Sequence, residues 1–289
     1  MNSWPDYLPS RFVNRPAALA RILKWANNQA GSRVLVIVGS PGNGKTWLLN
    51  KVKEELDRRG QLVLWLDAPI LIRQREEQEG TQLFNHEKFR EWFDTVHHQA
   101  HRVCRHLQPI GVYASAEAQI EALVNMICDC ELRYVPILIV DAYDEMSEEQ
   151  AILLSLRLLD KFLSRPCTRI VMALRSEYLL RGDLLKRHRE FLFLEREDPV
   201  QLTFARQQFE KWFKEKFPGR PMPDPENWFA GFQHYSWRNP AVNYLLFEQG
   251  WREASPRPIE RQEVRDAIQA VVQRGGRYSP LDNGKFDLL

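Results

Sequence analysis

Gly39-Ser40-Pro41-Gly42-Asn43-Gly44-Lys45-Thr46 follows the apolar run Val34-Leu35-Val36-Ile37-Val38 and precedes Trp47-Leu48-Leu49, where helical spacing begins. A strand, a glycine-rich loop, Gly-Lys-Thr and a helix, in that order, form a phosphate-binding loop. The chemistry explains the residue types. Backbone N–H groups must converge on a polyphosphate, and only small residues allow that approach. The following helix adds unpaired N–H groups and the positive end of its dipole. Gly39, Gly42, Asn43 and Gly44 shape the cradle, and Pro41 fixes the turn between the outer glycines while giving up a donor. Lys45 places a point charge on the β- and γ-phosphates, and the Thr46 hydroxyl is a ligand for Mg²⁺.

Working outward, residues 33–38 and 62–66 read as the first two strands, the second ending at Asp67. Residues 136–141 form a third apolar strand that runs into Asp141-Ala142-Tyr143-Asp144-Glu145. Residues 169–174 form a fourth, with Arg175-Ser176 at its C-terminal end, and 191–194 a fifth. Continuous apolar runs without alternation suit strands covered on both faces, as in a parallel α/β sheet. An acidic strand end opposite a phosphate loop has a ready role: Asp141 completes the Mg²⁺ shell, and Glu145, or less favourably Asp144, orients or deprotonates the attacking water. Ligands of open α/β sheets bind at strand C-termini, so Arg175 is placed to read the γ-phosphate.

Between these strands lie helical patterns. Residues 12–28 carry Leu19, Ile22, Leu23 and Ala26 on one face, and Phe12 and Val13 either pack there or lie against a nucleotide base. Residues 47–59 form the helix after the loop, and 70–130 are mainly helical, with Ser115 as an N-cap and residues 73–80 a charged surface segment. His97, His101 and Cys104 have helical metal-ligand spacing, with His98 and His106 nearby, but lack an identifiable fourth ligand; surface or packing histidines are the reading adopted. From Pro199 the chain turns to helices without strands, at 205–217, 228–235, 241–251 and 259–272, followed by a tail.

The 289 residues suit one large or two modest domains, here an α/β domain over 1–198, a helical lid over 199–275 and a tail over 276–289. A formal net charge of +2 and the lack of a long basic tract do not indicate nucleic-acid binding. Four cysteines (Cys104, Cys128, Cys130, Cys167) form no paired framework in the sequence, which suits a reducing cytoplasm. No signal peptide or membrane-length apolar run is visible, so cytoplasmic localisation is expected.

Taken in order, Phe12-Val13-Asn14-Arg15, the loop, Asp141-Ala142-Tyr143-Asp144-Glu145, Arg175 and Asn239-Pro240 resemble the STAND class of P-loop ATPases, within it the NACHT group, over roughly residues 11–255. The resemblance implies an α/β P-loop NTPase with a five-stranded parallel sheet of order 5-1-4-3-2 and a C-terminal all-α lid. It also implies a slow ATPase switch, closed with ADP and opened with ATP, that self-associates and works in defence or signalling. Val13 and Pro240 would touch the nucleotide. Members carry Gly-x-Pro in the lid, whereas Arg238-Asn239-Pro240 keeps only the proline. Members usually carry effector and sensor parts as well, for which this chain has no room; either those are separate partner proteins, or the chain is a fragment, or the core acts alone. The alternatives are a DNA-associated AAA+ ATPase of the loader or transposition-regulator kind, for which Asp-Glu would stand directly adjacent at the strand end, and a nucleotide-binding scaffold without hydrolysis.

Overall fold

The computed structural model describes residues 7–13, 15–28, 30–71, 86–103, 115–129, 135–175, 189–224, 239–251 and 260–274. Expectations for Asn14, residues 73–80, Cys104, His106, Cys130, Ser176, the helix at 228–235, Arg238 and the tail fall outside them. In chain order the elements are α1 (Pro16–Asn27), β1 (Val34–Val38), α2 (Lys45–Arg58), β2 (Val63–Asp67), α3 (Ala68–Leu71), α4 (His86–Val103), α5 (Ala116–Asp129) and β3 (Ile137–Asp141). There follow a 3-10 turn (Tyr143–Glu145), α6 (Glu148–Leu154), a π turn (Ser155–Leu159), α7 (Asp160–Ser164), β4 (Arg169–Leu174), β5 (Arg189–Phe193) and α8 (Leu194–Glu197). The chain continues through α9 (Leu202–Lys216), α10 (Pro240–Gly250) and α11 (Arg261–Arg274).

All strand pairs are parallel, and the order β2-β3-β4-β1-β5 is 5-1-4-3-2 read from the opposite edge, as expected. The fourth strand thus lies between the strand leading to the loop and the strand ending at Asp141. The reason β1 is apolar throughout is visible in its packing. Val34, Val36 and Val38 face one layer with α4, α5 and α6 residues, and Leu35 and Ile37 face the other with α1 and α2. Burying each such side chain contributes about 1.5–3 kcal/mol, so both faces exclude polar residues.

A third apolar cluster belongs to helices alone: Phe209, Trp212 and Phe213 of α9 pack on Val242, Leu246 and Phe247 of α10, on Trp251, and on Ala267 and Val271 of α11. Its cohesion is largely aromatic, with Phe209 and Phe213 each about 5 Å from the Trp251 ring (5.1 and 5.3 Å).

The second strand ends at Asp67 as read, beginning one residue later at Val63, and Asp67 pairs in register with Asp141. One sequence expectation needs correction. Cys128, near the end of α5, and Cys167, in the turn before β4, form a disulfide with Cα atoms 5.7 Å apart. They are 39 residues apart in sequence and meet only because α5 packs beside that turn, so spacing hid the pair and cysteine usage does not argue for a reducing compartment. His97 stacks on Phe93, ring centroids 6.1 Å apart, and meets His101 edge-on at 4.5 Å. Among the described residues no group of three or more His, Cys, Asp or Glu could hold a metal, and no helix is long and apolar enough to cross a membrane.

Candidate functional site

The loop leaves β1 and enters α2 through Gly44, whose φ of +82° makes it a left-handed N-cap. Lys45 and Thr46 therefore stand in the helix's first turn. The bond from Leu48 N–H to Gly44 C=O (2.9 Å) is where the ladder begins, which leaves the N–H groups of Lys45, Thr46 and Trp47 ahead of it. Lys45 Nζ donates to the carbonyls of Gly39 (2.7 Å) and Ser40 (3.2 Å). Burial lowers the Lys45 pKa, with Asp144 the strongest opposing charge.

Across the cavity the end of β3 supplies the acids. The Thr46 hydroxyl donates to Asp141 Oδ1 at 3.1 Å, and Asp67 ends the neighbouring strand in register. Burial pushes the Asp141 carboxyl up to about 6, against the pull of Thr46 and of the Ala142 N–H. Ala142 has φ +54°, a left-handed conformation that favours glycine, and this bend turns the chain from β3 into the 3-10 turn bearing Asp144 and Glu145. Asp144 is committed to Arg175: its Oδ2 accepts from the Arg175 backbone N–H (3.1 Å) and from Nε (3.0 Å), both side chains being nearly inaccessible. Glu145 is exposed at the cavity mouth, and its pKa is raised first by the protein packed around it and then by Asp144.

Thr46 and Asp141 offer hard oxygen donors of the kind Mg²⁺ takes, so these residues fit the metal. Gly42 and Gly44 form a cradle that side chains would fill or strain. A Cβ on Gly42 would lie 2.6 Å from Asn239 Oδ1, 2.7 Å from Val271 Cγ1 and 2.8 Å from Ala241 Cβ. Asn239 caps α10 by accepting from Ala241 and Val242 N–H, and its Nδ2 donates to the Pro41 carbonyl (2.8 Å); Ala241 N–H donates to Gly42 C=O (3.2 Å). The start of α10 is thus seated directly on the phosphate loop. Gly42→Ala is expected to cost about 2–3 kcal/mol, from overpacking against α10 and α11 and from positive φ. A urea titration reads this as a lower midpoint at unchanged slope.

Lys45, Thr46, Asp141, Asp144, Glu145, Arg175, Pro41, Gly42, Asn43, Gly44, Val13 and Pro240 all line one cavity of about 870 Å³; Gly39 contributes through its carbonyl. Sequence reasoning assigned no role to Asp67, Glu195 or Trp212, and Arg15 and Asn239 entered only as members of quoted motifs. Glu195 of α8 accepts from the Ser40 N–H at 2.5 Å, so that its pKa, raised by burial, is drawn below the usual range by Ser40 and by the Asn43 side chain. Arg15 donates to the Asn43 carbonyl (2.9 Å) and Oδ1 (2.6 Å), to the Asp198 carbonyl, and covers the Phe204 ring at 4.8 Å; burial lowers its pKa to about 10. Asp198 in turn accepts from Ala18 N–H at the start of α1 (2.6 Å). The signal for Arg15 was its place just before Pro16 at a helix start; nothing local marks Glu195.

Asp144→Ala removes one partner of a buried ion pair, which is expected to cost about 3 kcal/mol and to lower Tm by roughly 6–10 °C in a thermal scan.

Comparison with solved structures finds, over 90% of this chain, a STAND protein with a tetratricopeptide repeat sensor from Pyrococcus horikoshii (15% identity, TM-score 0.42), of which the chain spans only 32%. The Aeropyrum pernix ORC2 protein is matched over 93% of this chain and 70% of its own (18% identity, TM-score 0.47). Domain III of the replication initiation protein DnaA from Thermotoga maritima is matched over 94% and 100% (16% identity, TM-score 0.47). Comparison with curated proteins finds no match. The Nephrocystin 3, N-terminal, family matches residues 18–176, a stretch that runs from α1 through the loop and the acidic strand end to just beyond Arg175. Since that match spans more than half of the 289 residues and contains the phosphate-binding loop, the chain belongs to the Nephrocystin 3, N-terminal, family.

Proposed function

We propose that the chain binds ATP with Mg²⁺ in this cavity, hydrolyses it slowly and acts as a nucleotide-controlled switch of the NACHT type. Lys45 and the N–H groups at the start of α2 hold the phosphates, and Thr46 and Asp141 hold the metal. Bound there, Mg²⁺ supplies positive charge to the β- and γ-phosphate oxygens. Arg175, oriented by Asp144, reads the γ-phosphate, and Glu145 accepts a proton from the attacking water. Because Asp144 already holds Arg175, it is the weaker choice for that role. Val13 and Pro240 border the space for the nucleoside.

The observation that carries the switch reading is the bond from Asn239 to the Pro41 carbonyl. It ties the N-terminus of α10 to the loop that grips phosphate, so a change in the loop is transmitted to α9, α10 and α11, the described helices of the part read as the lid. A lid can switch only if it meets ATP and ADP differently. The test is hydrogen exchange over residues 239–251 with Mg·ATP and with Mg·ADP. Slower exchange in one state supports the switch; identical protection in both sinks it. ATP-driven self-association and separate effector or sensor proteins belong to the same proposal, and light scattering with ATP against ADP reads the first. Slow turnover alone follows if partner residues complete the site.

A further inference from the structure

The helix that follows the 3-10 turn has one side fixed and one side bare. Leu154, Leu158, Leu159 and Phe162 are buried in the apolar layer under the sheet. The Tyr143 hydroxyl bonds the Ala151 carbonyl (3.1 Å) and Ser155 Oγ (2.7 Å). These contacts set which side of α6, the π turn and α7 faces outward. On that outward side stand Ile152, Leu153 and Leu156, which are 44%, 37% and 56% exposed. Leu156 lies four residues after Ile152 and three after Leu153, so it neighbours both on the helix surface. A single exposed leucine is ordinary, but three side by side form the kind of patch that marks an interface.

The charges flanking the patch say what covers it. Glu148 and Glu149, both exposed, precede it. Arg157, Lys161 and Arg165 follow it and outnumber Asp160. Lys161 also pairs with Glu121 of α5 at 3.3 Å, through side chains that stay 40% and 59% exposed. The two glutamates and the Arg157 and Lys161 cations stand about equally far from the middle of the patch, so the face is complementary to itself when turned end for end. We infer that it is a docking surface for a second copy of this chain. In a two-fold pairing α6 to α7 lies antiparallel to its symmetry mate. The apolar residues of both copies meet at the axis, and the acidic end of each helix runs along the basic end of the other, with the helix dipoles opposed. The stretch is about 25 Å long. One helix per side buries less than the roughly 800 Å² per partner of a stable complex, so the pairing is reversible, with a Kd on the order of 10–100 µM. None of these residues lines the nucleotide cavity, so the dimer forms without nucleotide and is distinct from the ATP-driven association proposed above.

The test is sedimentation velocity without nucleotide, from well below to well above that concentration range. The expected result is a monomer–dimer equilibrium in the wild type, weakened about tenfold or more in Leu156→Glu, where two carboxylates would face each other at the axis. A thermal scan should show the Leu156→Glu midpoint unchanged, because the side chain is exposed in the monomer. Glu149→Lys should weaken the dimer about threefold or more, and adding Arg157→Glu to the same chain should restore it, since both charges of the pairing are then reversed together. A wild type that stays monomeric throughout overturns the inference. So does a Leu156→Glu protein that associates like wild type, or a double reversal no better than Glu149→Lys alone. Lys45→Ala, expected to bind no ATP, should dimerise like wild type, so failure of the nucleotide site and failure of this surface are read separately.

Discussion

Lys45→Ala is expected to lose ATP binding, by about 100-fold or more, while the protein stays folded. The size follows from the charges around the cavity. Asp67, Asp141, Asp144 and Glu145 all line it, and against them stand Lys45, Arg175, Arg11 and Arg15, of which Arg11 is paired with Glu215 and Arg15 bonded to Asn43 and the Asp198 carbonyl. The Arg175 guanidinium is already bonded to Asp144. Removing the Lys45 ammonium leaves a triphosphate facing carboxylates with its main counter-charge gone. The fold should tolerate the change, because burial disfavours the charged ammonium and its bonds to the Gly39 and Ser40 carbonyls are replaceable by water. Calorimetry with Mg·ATP, alongside a thermal scan, checks both halves. ATP affinity that survives the substitution undiminished removes Lys45 from the site and the phosphate assignment with it.

Local signals carried the fold a long way. Val34 to Val38 and Ile137 to Asp141 read as two-face-buried strands because every position is apolar until Gly39 and Asp141, and both sit in the sheet interior. The loop was legible because phosphate chemistry demands glycine and lysine at fixed spacing. Asp141 and Arg175 were legible because strand C-termini converge on one edge of a parallel sheet. What stayed hidden depends on distant pairing. Glu195 reaches Ser40 across 155 positions, and Asn239 reaches Pro41 across 198. Asp67 looked like a strand end, and only the register between β2 and β3 sets it against Asp141. Cys128 and Cys167 belong to the same class. The left-handed Ala142 has a local rationale: the chain must bend between Asp141, the end of β3, and Tyr143, the start of the 3-10 turn, so a small residue is what the backbone tolerates.

Glu145→Gln is expected to bind ATP within about threefold of wild type and to lose hydrolysis by roughly 10²- to 10⁴-fold, the usual worth of a positioned general base. The amide keeps the volume of the carboxylate and its exposed seat at the cavity mouth, so neither the 3-10 turn nor the Asp144–Arg175 pair is disturbed. What it loses is proton affinity. The surrounding protein and then Asp144 raise the Glu145 pKa while Arg175 holds it down, which moves the group toward the pH where a base both stays ionised and accepts a proton usefully. Asp144 is a poor substitute, since protonating it would cost the contact that orients Arg175. Phosphate release under single-turnover conditions, with bound ATP measured in the same sample, separates the chemical step from binding. Wild-type turnover in Glu145→Gln would transfer the base to Asp144 or to a residue supplied by another subunit. Asp144→Asn then decides between these: a fall in turnover well beyond its loss of stability identifies Asp144, and turnover that follows stability alone points to a group outside this chain.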